Sequence, residues 1–294
     1  MSSPPASGVV VVDKPAGMTS HDVVSRIRRL AGTRKVGHAG TLDPMATGVL
    51  LVGVNRATRL LGQLSLTQKS YQATVRLGEQ TTTDDAEGDI LARTDAGAVS
   101  PAAVEAALAA FRGEILQVPA TVSAIKVAGR RAHARVRAGE EVHLPARPVR
   151  IDRLKLGEVR PGAGVMDLDL EVTCSSGTYV RALARDLGTA LSVGGHLIRL
   201  RRTAVGRFGV QEAHTLVALA EQFRLVPLAE VARREFASRE LTADQAARVR
   251  HGQRLAATEL ALDGLSAVFA PDGEFLALYE PAGEVSRPVA VFTG

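Results

Sequence analysis

Tryptophan is absent from this 294-residue chain, and aromatic residues make up only 3% of it. Its core must therefore be built from Leu, Val, Ile and Ala, which makes each of its three tyrosines conspicuous. Cys174 is the sole cysteine, so no intramolecular disulfide is available and no Cys pair can begin a zinc site. No run reaches the ~18 apolar residues of a membrane helix. Residues Met1 to Gly8 are rich in Ser and Pro and lack the basic and apolar regions of an export signal. These absences predict a soluble, cytoplasmic protein with a disordered stretch over residues 1–7 and no membrane partner. Three motifs are missing as well: a Gly-x-x-x-x-Gly-Lys phosphate loop, a Gly-x-Gly-x-x-Gly turn after a strand, and a His-Glu-x-x-His pair. Nucleotide hydrolysis, hydride transfer and zinc hydrolysis thereby lose their usual markers, and the scattered histidines point to no metal.

What is present is charge in blocks. Lys and Arg number 36 against 31 for Asp and Glu, an excess that favours a polyanionic partner. The cations gather in three clusters: Arg26, Arg28, Arg29, Arg34 and Lys35; Lys126, Arg130, Arg131, Arg135 and Arg137; and Arg199, Arg201, Arg202 and Arg207. Acidic residues are set apart in Glu79, Asp84, Asp85, Glu87 and Asp89. A single basic cluster is usually a solvated face, but three with a segregated acidic loop point to nucleic acid.

Periodicity places the elements. The β-branched run Gly8 to Asp13 predicts a buried strand, and Thr19 with Asp22 has the spacing of a capping box before an apolar helical face at Val23, Val24, Ile27 and Leu30. Residues Val36 to Gly48 carry glycines and a proline that forbid a long helix or strand. Strands are predicted from Val49 and near Tyr71, and a short helix over Ala57 to Leu64. A further helix starts at Ser100-Pro101. Strict alternation over Met166 to Cys174 predicts a strand with one wet face in a mostly antiparallel sheet. Leu183, Leu187 and Leu191 then space a helix whose first turn contains Tyr179 and Arg181. Beyond about residue 236 a short helix and two apolar runs joined by Pro271-Asp272-Gly273 predict a small β-rich domain.

Asp43 lies inside the glycine-bearing loop, between His38 and a strand. Glycines let backbone approach a ligand closely, and loops on a rigid scaffold commonly carry reactive groups. An Asp before Pro is also an ordinary turn residue bonding nearby amides, so Asp43 alone leaves both readings open.

The sequence around it narrows them. Gly37-His38-Ala39-Gly40-Thr41-Leu42-Asp43-Pro44-Met45-Ala46-Thr47-Gly48 resembles the catalytic motif of the bacterial tRNA pseudouridine synthases of the B type, relatives of dyskerin. Asp13 to Ser20, Lys69-Ser70-Tyr71, Cys174 to Arg181 and His196 to Arg202 resemble further blocks of that family in the same order, over roughly residues 8–215. The resemblance implies an α+β catalytic domain over residues 8–235 around a long mixed, mostly antiparallel sheet. It also implies a basic RNA-clamping insertion at about 124–150 and a PUA-like RNA-binding domain over 236–294. His133 stands in that insertion where an aromatic is more usual.

The implied reaction is isomerisation of uridine 55 in the T-loop of tRNA, with no cofactor, metal or guide RNA, by a protein expected to be monomeric. Asp43 would be the catalytic carboxylate, attacking C1′ of the ribose or removing a proton from C2′; the sequence does not choose. Arg181 would pair with Asp43 and hold it ionised, and Tyr71 would stack on the uracil. Tyr179 and Leu200 would line the nucleotide pocket, while His38 would brace the flipped-out nucleotide. A tRNA-binding folding factor with incidental or no catalysis fits the basic clusters equally; the trio Asp43, Tyr71 and Arg181 favours the enzyme. On either reading tRNA affinity is expected to fall steeply as salt rises from about 50 to 200 mM, and a flat filter-binding titration would remove the electrostatic footprint.

Overall fold

A strand that reads as an unbroken apolar run, rather than an alternating one, needs a core on both of its faces. Gly8–Lys14 (β1) has them in the computed structural model, which describes residues 6–120, 126–127, 130–131 and 144–293. Val10 and Val12 enter one hydrophobic cluster, Val9 and Val11 another. The helix Ser20–Leu30 (α1) follows, opened by the predicted capping box: Thr19 Oγ1 accepts from the Asp22 N–H while Asp22 accepts from the Thr19 N–H. The helix buries Val23, Val24 and Ile27 against the first cluster. Of the Val36 to Gly48 segment, Val36–Ala39 forms a four-residue strand (β2), residues 40–46 are the expected loop, and Thr47 and Gly48 open the next strand.

The strand Thr47–Val54 (β3) lies antiparallel between β1 and β2. A 3₁₀ turn over Asn55–Leu60 and the short helix Leu61–Ser65 (α2) occupy the place predicted for one helix. Next come Lys69–Leu77 (β4), the small hairpin Glu79–Thr81 (β5) and Ile90–Arg93 (β6), the helix Pro101–Ala109 (α3) and Gly113–Gln117 (β7). Lys126–Val127 (β8) and Arg130–Arg131 (β9) pair with each other; most of the proposed insertion, with His133, Arg135 and Arg137, lies outside the described residues, as do residues 1–5. Arg147–Pro161 (β10), Met166–Cys174 (β11), the helix Val180–Ala190 (α4), Gly195–Val205 (β12) and Phe208–Gly209 (β13) complete this part with Val226–Pro227 (β14).

The main sheet runs β14-β1-β3-β12-β4-β11-β10-β7, with β2 on β3 and β13 on β12. Every pairing in it is antiparallel except one: β12 meets β3 in parallel, at Arg201↔Thr47 and Arg202↔Gly48. That bridge is the seam between the two antiparallel halves. On one side of it β4 and β11 alternate, with Leu168, Leu170 and Val172 inside and Asp167, Asp169 and Glu171 outside, so this half has the one wet face that their sequence predicts. α1 and α4 cover the inner face.

A second sheet, β15-β17-β18-β19-β16, is formed by Ala237–Glu240, Ser266–Phe269, Phe275–Ala282, Val285–Val291 and Leu255–Ala256 (β15, β17, β18, β19 and β16). The architecture is thus α+β, with a long mixed sheet followed by a β-rich C-terminal part. The two parts share a core: Val9, Val11, Leu51 and Leu64 pack with Phe269, Phe275, Leu278 and Phe292. Arg56 and Arg59 clip the end of β19 by donating to the main-chain oxygens of Phe292 and Val291.

Gly48 fixes the seam. Its φ of +99° suits glycine alone, and a Cβ there would lie 2.1 Å from the Arg202 carbonyl oxygen. Gly48→Ala is expected to cost about 3 kcal/mol, from positive φ and overpacking together, measured as a shifted urea midpoint. An unshifted midpoint would show that the seam can open.

Candidate active site

The seam positions a cavity of about 260 Å³ lined by Gly40 to Asp43, Ser65, Lys69, Tyr71, Gly177 to Arg181, Leu200 and Arg202. Each wall has a local cause. Asp43 sits four residues before β3, in a loop that cannot pair as a strand. Tyr71 is the third residue of β4 and projects inward with Ala73 and Val75. Arg181 is the second residue of α4, whose N-cap is Tyr179. Five of the six residues singled out in the sequence, Asp43, Tyr71, Tyr179, Arg181 and Leu200, therefore meet in one cavity. His38 stands apart on β2, outside that lining, its ring edge-on to His21 at 5.5 Å. Burial, then the neighbouring charges of His21 and Arg202, press the His38 imidazole below its usual range, and among the described residues its buried Nδ1 has no hydrogen-bond partner.

Arg181 grips Asp43 with two nitrogens. Nε lies 3.0 Å from Oδ2 and Nη2 donates to Oδ1 at 3.3 Å. The remaining nitrogen, Nη1, faces the other way, 3.3 Å from Asp85 Oδ2 and donating to the Thr83 carbonyl at 3.0 Å. The guanidinium is 5% exposed, so it is a buried cation between two carboxylates. Asp85 is itself held by Thr83 Oγ1 and the Glu87 N–H. Arg185, one turn further along α4, reaches Asp84 at 3.1 Å. Asp84 and Asp85, from the acidic loop that the sequence sets apart from the basic clusters, thus back the two arginines of α4 behind the site.

Burial raises the Asp43 pKa above the ordinary carboxylate range; Arg181 offsets part of the rise, and Asp85 adds to it. The sequence leads one to expect that Arg181 holds the carboxyl ionised. It does stabilise the anion, but desolvation outweighs it. Tyr71 is also raised by burial, with Arg202 beside it acting in the opposite direction.

Three cations around this centre were not legible as site residues. Lys14 is fully buried and gives its three donors to the carbonyls of Pro15, Met18 and Pro44, tying the loop after β1 to the Asp43-Pro44 turn. Ser20 adds a reciprocal pair with Leu42, accepting from its N–H and donating to its carbonyl. Arg202, 1% exposed, donates to Val49, Gly40 and Thr41 carbonyls and so holds the other end of the loop. Lys69 lines the cavity. The third basic cluster is thereby divided: Arg202 points inward, Arg201 pairs with Asp13 at 2.8 Å, and Arg199 and Arg207 are exposed. Strand parity carries the missing signal, because Arg202 shares a face with Leu200 and Lys69 shares one with Tyr71. The first cluster, Arg26 to Lys35, does lie on the surface.

Gln117, at the end of β7, brackets the N-cap of α4: its side-chain amide accepts from the Tyr179 N–H at 2.8 Å and donates to the Tyr179 carbonyl at 3.1 Å. Among the described residues no group of three or more His, Cys, Asp or Glu side chains could hold a metal ion, and no helix is long and apolar enough to cross a membrane.

A carboxylate held by a buried guanidinium thus shares one cavity with a tyrosine side chain, an arrangement chemically able to support carboxylate catalysis. The sequence matches the model of the TruB family pseudouridylate synthase (N terminal domain) over residues 28–180. It matches the tRNA pseudouridylate synthase B C-terminal domain over 181–231 and the tRNA Pseudouridine synthase II, C terminal, over 236–293. A protein of Thermobifida fusca (strain YX) named tRNA pseudouridine synthase B is 56% identical over 293 residues, 98% of this chain and 99% of that one. One of the same name from Mycolicibacterium paratuberculosis (strain ATCC BAA-968 / K-10) is 58% identical over 290 residues, 98% of each. Among solved structures, a chain in a Cbf5-Nop10-Gar1 complex superposes with a TM-score of 0.76 at 28% identity, covering 97% of this chain and 85% of that one. The chain belongs to the TruB family of pseudouridylate synthases.

Removing the Arg181 charge takes away the main opposition to burial at Asp43 and leaves only the smaller influence of Lys14. In Arg181→Gln the Asp43 carboxyl is expected to titrate at a higher pH than in the wild type, read from its ¹³C chemical shift; a lower or unchanged midpoint would contradict the balance described above.

Proposed function

We propose that this enzyme converts uridine 55 in the T-loop of tRNA to pseudouridine, with Asp43 as the reacting carboxylate. That it is a tRNA pseudouridine synthase rests on family matches and on relatives sharing its full length. The finer reading rests on one observation: Asp43, doubly held by Arg181, shares a cavity with Tyr71.

A uridine stacked inside an RNA loop cannot present C1′ to a carboxylate, so the nucleotide must be extruded into the cavity. In the proposed complex Tyr71 stacks on the uracil, Tyr179 and Leu200 line its pocket, and His38 braces the vacated RNA from outside the cavity. Asp43 then reacts at the sugar, as nucleophile at C1′ or as base toward C2′. The C1′–N1 bond breaks with both electrons on the base, the base turns, and C5 bonds to C1′ as the Asp43 carboxylate departs from C1′ or, on the other route, returns the proton to C2′. The C5 proton is then lost, with Tyr71 Oη the candidate carrier, and N1 is protonated. Atoms and electrons balance within the substrate, so the chemistry calls for no cofactor.

In this reading residues 8–235 form the catalytic domain, residues of about 124–150 an RNA-clamping insertion, and residues 236–294 a PUA-like RNA-binding domain. The second sheet, beginning at Ala237, supports that division. The exposed cluster Arg26, Arg28, Arg29, Arg34 and Lys35 suits phosphate contacts, which position RNA without reading bases. The enzyme is taken to act as a monomer in the cytoplasm on free tRNA, without a guide RNA.

With tRNA carrying tritium at uridine C5, Asp43→Asn is expected to retain tRNA binding and to lose tritium release by at least about 10³-fold. Release at the wild-type rate would remove Asp43 from the chemistry. Replacing the target uridine by cytidine is expected to abolish turnover, and persistence of turnover would move the modified position elsewhere.

A further inference from the structure

Two buried lysines flank the Asp43 loop, and they differ in one respect. Lys14 has all three N–H groups committed to carbonyls. Lys69 donates twice, to the carbonyls of Ser65 at 2.8 Å and Thr67 at 2.7 Å, and its third N–H has no partner among the described residues. It forms no ion pair there either. The ionisable groups acting on it are Arg202 on β12, a like charge, and the Cys174 thiol on β11; α2 offers it only carbonyls. Lys69 is nevertheless 7% exposed and lines the cavity, two residues before Tyr71 on the same face of β4.

A buried ammonium without a counter-ion is costly, and its cost falls when an anion enters the space it borders. Burial lowers the Lys69 pKa to about 8, which leaves the side chain a cation at neutral pH but one held under strain of desolvation. Resting on the reaction proposed above, we propose that Lys69 is a catalytic residue whose ammonium receives the negative charge of the uracil when the C1′–N1 bond breaks. The bond's electron pair stays with the ring and spreads from N1 onto the carbonyl oxygens, giving acceptors in the plane of a ring stacked on Tyr71. A phosphate is the other anion that tRNA supplies. The phosphodiesters of an extruded nucleotide connect it to the rest of the chain and stay toward the cavity mouth, whereas Lys69 is almost shut off from solvent.

The experiment compares single-turnover consumption of the target nucleoside in tRNA carrying uridine or 5-fluorouridine, at saturating enzyme. Fluorine withdraws electrons and stabilises the uracil anion without help from the protein. Lys69→Met is expected to slow uridine consumption about 100-fold and 5-fluorouridine consumption no more than about 10-fold, with tRNA affinity unchanged. Lys69→Arg, which keeps the charge, is expected to recover most of the rate. If the Met variant melts early by circular dichroism, Lys69→Gln takes its place. Equal slowing of both substrates would make Lys69 a scaffold residue, and weaker binding with an unchanged saturated rate would make it a phosphate contact; either result overturns the inference. Wild-type protein that leaves uridine unconverted would instead overturn the reaction itself.

Discussion

A guanidinium enclosed between two carboxylates is the interaction on which the rest of this molecule depends. Arg181 and Asp85 are almost free of solvent, so their charges meet little screening, and removal of Arg181 would leave Asp85 a buried charge without a counter-ion. Asp43 is the third member and the one that faces the cavity. One positive charge serves two negative ones, of which Asp85 is buried and Asp43 half-buried, and desolvation wins at Asp43: its carboxyl is held above the ordinary carboxylate range. A carboxylate of raised pKa is, when ionised, a better base and nucleophile than an ordinary one. The same pair therefore orients the Asp43 carboxylate and leaves it under-neutralised.

Four segments distant in sequence converge to hold this arrangement. The Asp43 loop is bound at one end by Lys14 and Ser20 and at the other by Arg202. α4 brings Arg181, with its N-cap bracketed by Gln117 from the sheet edge. The loop between β5 and β6 supplies Asp85 and is itself fastened to β12, where Ala86 donates to the Leu197 carbonyl and Leu197 to that of Asp84. The hold of Arg202 on the loop depends on the parallel pairing of β12 with β3. Had β12 joined β3 in any other register, Arg202 would not reach Gly40.

Much of this was legible because local signals are written locally. The capping box at Thr19 and Asp22, the alternation of β11, the turn at Pro271 to Gly273 and the unbroken run of β1 each state their own structure. The family resemblance carried Asp43, Tyr71, Tyr179, Arg181 and Leu200 to one place. What stayed hidden was the sense of individual charges. Adjacent arginines 201 and 202 look alike in a row, yet the pleat sends one to Asp13 and the other into the core. Asp85 reads as part of a solvated acidic loop because its partner comes 96 positions later, a long-range pairing that no window of sequence contains. Lys14 and Lys69 share the difficulty: their partners are main-chain carbonyls, which every residue possesses and no composition reveals.

The two halves of the central ion pair are separated by 138 residues. During synthesis the chain emerges N-terminus first, so the Asp43 loop and the Lys14 brace leave the ribosome together, long before α4 exists. Until residue 181 follows, the carboxylate has no guanidinium beside it, and the wall contributed by Tyr179 is missing as well. A partly made chain can thus display the exposed basic face of α1 while this ion pair remains unassembled. The long sequence separation acts as a completeness check: the Asp43–Arg181 pair closes only in a chain that has been translated through most of its main sheet.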